Sequence, residues 1–203
     1  MAKHGLYRHN LPAVFSYQSR RKIGLLGGSF NPAHSGHIAL SQKARLAGRF
    51  DQIWWLVSPQ NPLKSDHDMA DYDRRLAYAR AIAGPYPWLR VLGLEAQCGT
   101  QYSYDVMALL LQRAPRASFT WLMGSDNLVQ FPHWHKARQM TRQMPFMVMR
   151  RQDSFYASLN AKGRHYFRRT NISGKTPHLT LITSFDDRHS ATALRAAGFW
   201  DKS

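Results

Sequence analysis

The chain has 203 residues, and its 28 lysines and arginines outweigh 12 aspartates and glutamates to leave a formal net charge of +16. That length buries one good core, no run of about 18 apolar residues exists to span a bilayer, and Cys98 as the single cysteine excludes an intramolecular disulfide or a cysteine-clustered zinc site. The positive balance selects polyanionic partners, for which nucleotides and nucleic acids both qualify.

Residues 1–21 contain Lys3, Arg8, Arg20 and Arg21, no acidic residue and no long apolar stretch. This excludes an ordinary secretory signal, and the composition also resembles that of an organelle transit peptide. The reading adopted is a flexible basic arm over 1–21 ahead of one domain over 22–203. A reducing cytoplasm fits the cysteine count.

The apolar run Ile23-Gly24-Leu25-Leu26 predicts the first strand. It leads into Gly27-Gly28-Ser29-Phe30-Asn31-Pro32-Ala33-His34-Ser35-Gly36-His37, the most informative stretch of the chain. Two glycines at a strand's carboxyl end let the backbone approach a ligand and take dihedrals that other residues resist. Pro32 stiffens the turn. A helix beginning near Ser35, with the Ser35 hydroxyl as its cap, would turn its first amides into an anion site within reach of His34 and His37. Metal ligation is the weaker reading, because the zinc metalloprotease pattern spaces its histidines four apart with a glutamate beside the first. No metal site is assigned. Two histidines on an ordinary surface loop would explain a bare His-x-x-His, but not this whole string.

Further along, a helix is predicted near Ile38–Ala47 and a strand over Gln52–Val57. The loop Ser58-Pro59-Gln60-Asn61-Pro62-Leu63-Lys64 follows, kept extended by two prolines and closed by a cation. Helical patterns recur near Asp73–Ala83, Tyr104–Gln112 and Thr192–Ala197. Strands are predicted over Arg90–Leu94, Ser118–Met123, Pro145–Met149 and His178–Ile182. Continuous rather than alternating apolar runs suit a parallel sheet covered on both faces. Their alternation with helices predicts a doubly wound α/β domain, whose ligands sit beyond the carboxyl ends of the strands where the winding reverses. The stretch from Arg150 to Pro177 is too long for a plain connection and is expected to hold a short helix or a substrate loop. Between Trp134 and Lys175 ten lysines and arginines accompany one acid, Asp153. A solvated basic loop is preferred there over a nucleic-acid face.

The Gly27–His37 string resembles the signature of the nucleotidylyltransferase superfamily, a Gly-Gly-(Ser/Thr)-Phe-(Asp/Asn)-Pro turn followed by (His/Thr)-x-Gly-His. The resemblance implies a Rossmann-like sheet in which Gly28, Ser29 and Phe30 line the nucleotides and His34 and His37 donate to phosphates. Lys64 then reaches the triphosphate. His189-Ser190-Ala191-Thr192-Ala193-Leu194-Arg195 is similar to the family's Ile-Ser-Ser-Thr-x-Ile-Arg element. Ser190 would cap a helix whose amides, with the Thr192 hydroxyl and the Arg195 guanidinium, face an anion. The pattern departs at His189 and at Ala191, where a hydroxyl is missing. Gly124-Ser125-Asp126 resembles the family's Gly-x-Asp, with Asp126 accepting from ribose hydroxyls; as a plain alternative, Asp126 caps a helix.

The segment Asn127-Leu128-Val129-Gln130-Phe131-Pro132-His133-Trp134-His135 resembles the nicotinate mononucleotide adenylyltransferase branch. There Trp134 would stack on the pyridine ring, while Tyr102, Ser103 and the backbone near His135 would meet the ring carboxylate. Ser29 and Phe30 would also line that nucleotide. Without the resemblance Trp134 reads as core and Tyr102 as a helix staple. His34 argues against phosphopantetheine adenylyltransferases, which usually carry threonine in that slot. Glycerol-phosphate cytidylyltransferases share the two histidines but are not expected to carry the Trp134 segment. The activity implied is AMP transfer from ATP to nicotinate mononucleotide, with His34, His37, Lys64 and Arg195 as the catalytic set and Mg²⁺ arriving on the nucleotide. ATP and nicotinate mononucleotide are the expected partners, with no specific nucleic acid, no membrane and a homo-oligomer left open. The alternatives are nicotinamide mononucleotide or another phosphorylated acceptor on the same fold, and a basic nucleic-acid-binding protein, against which no recognised nucleic-acid motif is present.

Overall fold

Strands made of uninterrupted apolar residues need cover on both faces, and the fold supplies it. The structure, a computed structural model, describes residues 20–59, 69–151, 179–185, 194 and 198–201. Its strands are β1 (Lys22–Gly28), β2 (Gln52–Val57), β3 (Leu89–Leu92), β4 (Ser118–Gly124), β5 (Phe146–Arg151) and β6 (Leu179–Phe185). They form one sheet in the order β3-β2-β1-β4-β5-β6, with every neighbouring pair parallel. The winding runs outward from β1 to β3 on one side and resumes from β4 on the other. The reversal therefore lies between β1 and β4. This is the doubly wound architecture expected from the sequence.

Side chains alternate across each strand, and that alternation divides the interior into two cores. Leu26, Trp55 and Val57 pack under α1 (Ser35–Gly48) and α2 (Tyr72–Ala83). Leu25, Trp54 and Trp121 face the opposite way, towards α3 (Leu94–Gln97), α4 (Ser103–Arg113), α5 (Ser125–Gln130) and α6 (Ala137–Gln143). The neighbours Trp54 and Trp55 thus anchor one core each. Among the described residues no helix is long and apolar enough to cross a membrane.

Two expectations are corrected. The third strand stops at Leu92 rather than Leu94, because the chain turns at Gly93 into α3; the Tyr72 hydroxyl leaves no room there for a Cβ. Neither Gly27 nor Gly28 adopts a left-handed conformation. Gly27 is required for packing instead: a Cβ there would lie 2.7 Å from Cζ2 of the fully buried Trp121 indole. The 1–21 arm up to Arg20, the segment from 152 to 178 and the predicted terminal helix, apart from the helical Leu194, lie outside the described residues.

A rigid indole cannot move aside as a flexible side chain does, so Gly27→Ala should destabilise the fold by about 1–3 kcal/mol. Urea denaturation checks this, and the double variant Gly27→Ala/Trp121→Phe should recover part of the loss through a coupling that the two single variants lack.

Candidate active site

At the reversal, the carbonyl of Gly28 accepts the Ser58 N–H at 2.9 Å, which ties the ends of β1 and β2 together. The chain then makes a sharp turn. Phe30 takes the left-handed conformation with φ 48°, and the Asn31-Pro32 peptide is cis. That φ costs a non-glycine residue roughly 1–2 kcal/mol, and the packing of the ring holds it in place. The Phe30 ring is 2 % exposed, stacks on Trp55 at 4.8 Å and lies 4.8 Å from the His37 ring. The aromatic face of Phe30 is therefore used in packing.

His34, rather than Ser35, is the N-cap of α1. Its Nδ1 accepts from Gly36 N–H at 3.1 Å, while the His34 N–H donates to Nδ1 of His37 at 3.2 Å. Two imidazoles thus form the reciprocal capping box usually made by a hydroxyl and a carboxylate or amide. The chemical consequence lies in the tautomer. With Nδ1 an acceptor, the proton of each neutral ring sits on Nε2, so both histidines carry an Nε2–H donor. Their centroids are 4.0 Å apart. Behind them the Ser41 hydroxyl donates to the His37 carbonyl at 2.7 Å and accepts the Trp55 indole N–H at 2.8 Å, which fixes the first turns of α1 against β2. Paired N–H donors at a helix N-terminus suit phosphate oxygens.

Across the reversal, Leu26 pairs with Leu122. Two residues further on, Gly28 and Gly124 end their strands side by side. Gly124 is the N-cap of α5, so Asp126 is not the cap but an exposed residue in the first turn.

A second cluster forms at the start of α4. Tyr102 is its N-cap, and its N–H donates to the Thr100 hydroxyl at 3.1 Å, which in turn donates to Asp105 Oδ2 at 2.7 Å. The Tyr102 ring stacks on His135 at 4.3 Å. Ser103 turns its hydroxyl inward and donates to Glu95 Oε1 at 3.0 Å. Trp134 is half-buried, 5.5 Å from Phe131 and edge-on to Trp121 at 6.1 Å, so one part of its ring belongs to the core. A cleft of about 510 Å³ runs past Pro59, Glu95, Thr100 and Tyr102. Glu95 itself is 3 % exposed and its Oε2 has no hydrogen-bond partner. Burial pushes its carboxyl up to about 7, against the smaller opposing effect of the Ser103 hydroxyl.

With this geometry established, the chain can be set beside known proteins. Residues 25–197 match the model of the cytidylyltransferase-like family. A probable nicotinate-nucleotide adenylyltransferase of Parvibaculum lavamentivorans is 40% identical over 88% of this chain and 93% of its own. The protein of the same name from Erythrobacter litoralis is 43% identical over 87% of this chain and 84% of its own. The chain belongs to the nicotinate-nucleotide adenylyltransferase family. It is accordingly a nucleotidyltransferase. The fold is similar to that of the Plasmodium falciparum nicotinic acid mononucleotide adenylyltransferase solved with NaAD, with TM-score 0.67 and 18% identity over 87% of this chain and 83% of that one.

In this chain Gly28, Ser29, Phe30, His34 and His37 lie along the turn from β1 into α1, with Gly124 and Asp126 where β4 passes into α5. Tyr102, Ser103 and His135 gather beside the cleft, and Trp134 leans into the core behind them. Lys64, Ser190, Thr192 and Arg195 lie outside the described residues. Three residues near the site were not singled out from the sequence. One is Glu95, which directly follows the predicted strand Arg90–Leu94. The others are Asn31 and Trp200: the Asn31 side-chain oxygen accepts from Trp200 Nε1 at 2.8 Å and from Ala70 N–H at 3.2 Å. The Trp200 carbonyl accepts from Arg74 at 2.8 Å. The end of the chain is thereby fastened to the phosphate turn. The available signal was the adjacent aromatic pair Phe199-Trp200 near the end of the sequence.

A carboxyl raised in the folded state binds its proton more tightly there than in the unfolded chain. Its contribution to stability is therefore full below pH 4.5 and is lost as pH rises to about 7. At about 1.4 kcal/mol per unit the loss is on the order of 3 kcal/mol. Relative to wild type, Glu95→Gln should gain by that order in urea-unfolding free energy between pH 4.5 and pH 8, and the difference should level off above pH 8.

Proposed function

We infer that this chain transfers AMP from ATP to nicotinate mononucleotide, releasing pyrophosphate and forming nicotinate adenine dinucleotide, a step of NAD biosynthesis. The observation that carries the reading is the imidazole pair of His34 and His37, capped so that both rings carry Nε2–H, at the sheet reversal of a chain with this family membership. An oxygen of the acceptor's phosphate attacks the α-phosphorus of ATP in line. The new P–O bond forms as the bond to the bridging oxygen breaks, and pyrophosphate carries away the electron pair. The attacking phosphate is already ionised, so no base is required. The chain's work is positioning and charge stabilisation. His34 and His37 donate from Nε2 to α- and β-phosphate oxygens as negative charge builds on the leaving group. Lys64 and Arg195 hold the β- and γ-phosphates, with Ser190 and Thr192 beside them, and Asp126 accepts from the ribose.

Mg²⁺ belongs to the substrate in this reading, held by the triphosphate oxygens and neutralising their charge. The His34 and His37 turn offers imidazole and amide N–H donors, which suit phosphate oxygens. On the acceptor side, Tyr102, Ser103, Trp134 and His135 receive the pyridine ring. The Tyr102 amide is already engaged, so the donors for a ring carboxylate are the next amides of α4, those of Ser103 and Tyr104. A helix N-terminus favours an anion there over a neutral amide, which selects nicotinate over nicotinamide. The reaction is placed in the cytoplasm.

Pyrophosphate release from Mg-ATP with each acceptor in parallel tests the reading, and nicotinate mononucleotide should be the preferred acceptor. Faster release with nicotinamide mononucleotide would overturn the acceptor assignment alone. For the mechanism, His37→Asn retains an acceptor for the His34 N–H but has no distal donor. Its kcat should fall by about 10²–10³, corresponding to roughly 2.7–4 kcal/mol of barrier, with little change in the KM for ATP or in Tm. A kcat near wild type removes the histidine from the mechanism.

A further inference from the structure

Arg75 is 1 % exposed and lies within the second helix, yet it serves neither solvent nor an acid. Its Nε donates to the Ala70 carbonyl at 2.8 Å, Nη1 to those of Ser29 at 2.5 Å and Ser58 at 2.9 Å, and Nη2 to that of Pro59 at 2.6 Å. The guanidinium also lies over the Tyr72 ring at 5.7 Å. Among the described residues no carboxylate pairs with it. Withdrawing a cation from water without a counter-ion costs several kcal/mol. An apolar side chain of similar length would fill the same space without that cost. Charge-assisted bonds offset it, and here all of them go to backbone oxygens.

Those oxygens lie at functionally related places. Ser29 follows β1, Ser58 and Pro59 follow β2, and Ala70 immediately precedes α2. Three of the four carbonyls therefore belong to the carboxyl ends of two adjacent strands, where an open α/β sheet binds its ligand. The Ser29 carbonyl also belongs to the peptide that enters Phe30, the residue held at φ 48°. Burial draws the guanidinium below the ordinary arginine range, an effect partly countered by Tyr72. A planar fork of five donors can span several acceptors at once, whereas the point charge of a lysine cannot.

We propose that Arg75 is a positioning residue of the nucleotide site, setting the spacing between the Ser29–His34 turn that carries the imidazole donors and the Ser58–Pro59 segment from which the Lys64 loop departs. Without it the two rims would lose their common anchor and the donors would drift from the phosphate they serve.

The proposal rests on the AMP-transfer reading for its assay, so wild-type turnover tests that reading and only the ratio of variant to wild type tests Arg75. Arg75→Lys, assayed at a temperature where circular dichroism shows it folded, should lose about 10²-fold in kcat, the scale of a 1 Å misplacement, with the KM for ATP within about threefold. A merely structural role would lower Tm and leave the kcat of the folded enzyme near wild type, and that result overturns the proposal. A second measurement uses the wild-type protein alone. The side-chain Nε–H resonance of Arg75, assigned through bonds, should exchange slowly and shift when a non-hydrolysable Mg-ATP analogue binds. A resonance that nucleotide leaves unmoved overturns the proposal, whether or not the lysine variant folds.

Discussion

The site depends on a helix capped by its own histidines. An ordinary capping box satisfies orphan amides at the start of a helix and contributes stability alone. In this chain the acceptors are Nδ1 atoms of His34 and His37, so satisfying the amides also decides which ring nitrogen carries the proton. Local folding and the choice of Nε2–H as the outward donor become a single event. Trp55, Phe30 and Ser41 reinforce the arrangement from behind, through two ring contacts to the imidazole of His37 and a relayed hydrogen bond to its backbone carbonyl.

The sheet order explains why this device sits where it does. With the reversal between β1 and β4, the chain leaving β1 has open space on its far side, bounded by the glycine that ends β4. β2 supplies the nearer wall, tied through the Gly28–Ser58 bond. The turn between these walls contains a left-handed phenylalanine, a conformation that must be imposed from outside. Packing on Trp55 imposes it from one direction and the Arg75 guanidinium from another, while Trp200 at the far end of the chain holds Asn31.

Much of this was legible in the amino-acid sequence, for physical reasons that also mark where the reading failed. Uninterrupted apolar runs announce a doubly covered sheet, and the strands fall within a few residues of their predicted bounds. The imidazole pair was legible because its spacing sits inside a long, distinctive string. The capping role of His34 was not, since serine is the commoner cap and Ser35 stood next to it. Glu95 escaped notice because a single acid at the end of an apolar run looks like the polar end of a strand. The turn at Gly93 starts a helix instead, and within it Glu95 meets the Ser103 hydroxyl, a contact between separate elements. Arg75 had a detectable signal: it shares the i, i+4 and i+7 stripe of Ala79 and Ile82, the face that α2 turns towards the sheet. A cation in an apolar stripe is easily taken for a solvent residue, and only the carbonyls brought together by the fold show its purpose.

The adjacent tryptophans Trp54 and Trp55 point to opposite faces, and with them the protein acquires two separately upholstered halves. The face under α1 and α2 supports the turn that carries His34 and His37, and the face under α3 to α6 supports the Tyr102 turn and Trp134. The side chains on the two faces form separate buried clusters. On the proposed assignment, substitutions beneath the Tyr102 turn would reshape what the enzyme accepts and leave the packing behind His34 and His37 in place. A lineage could explore new acceptors on one side of the sheet without relearning how to activate ATP on the other.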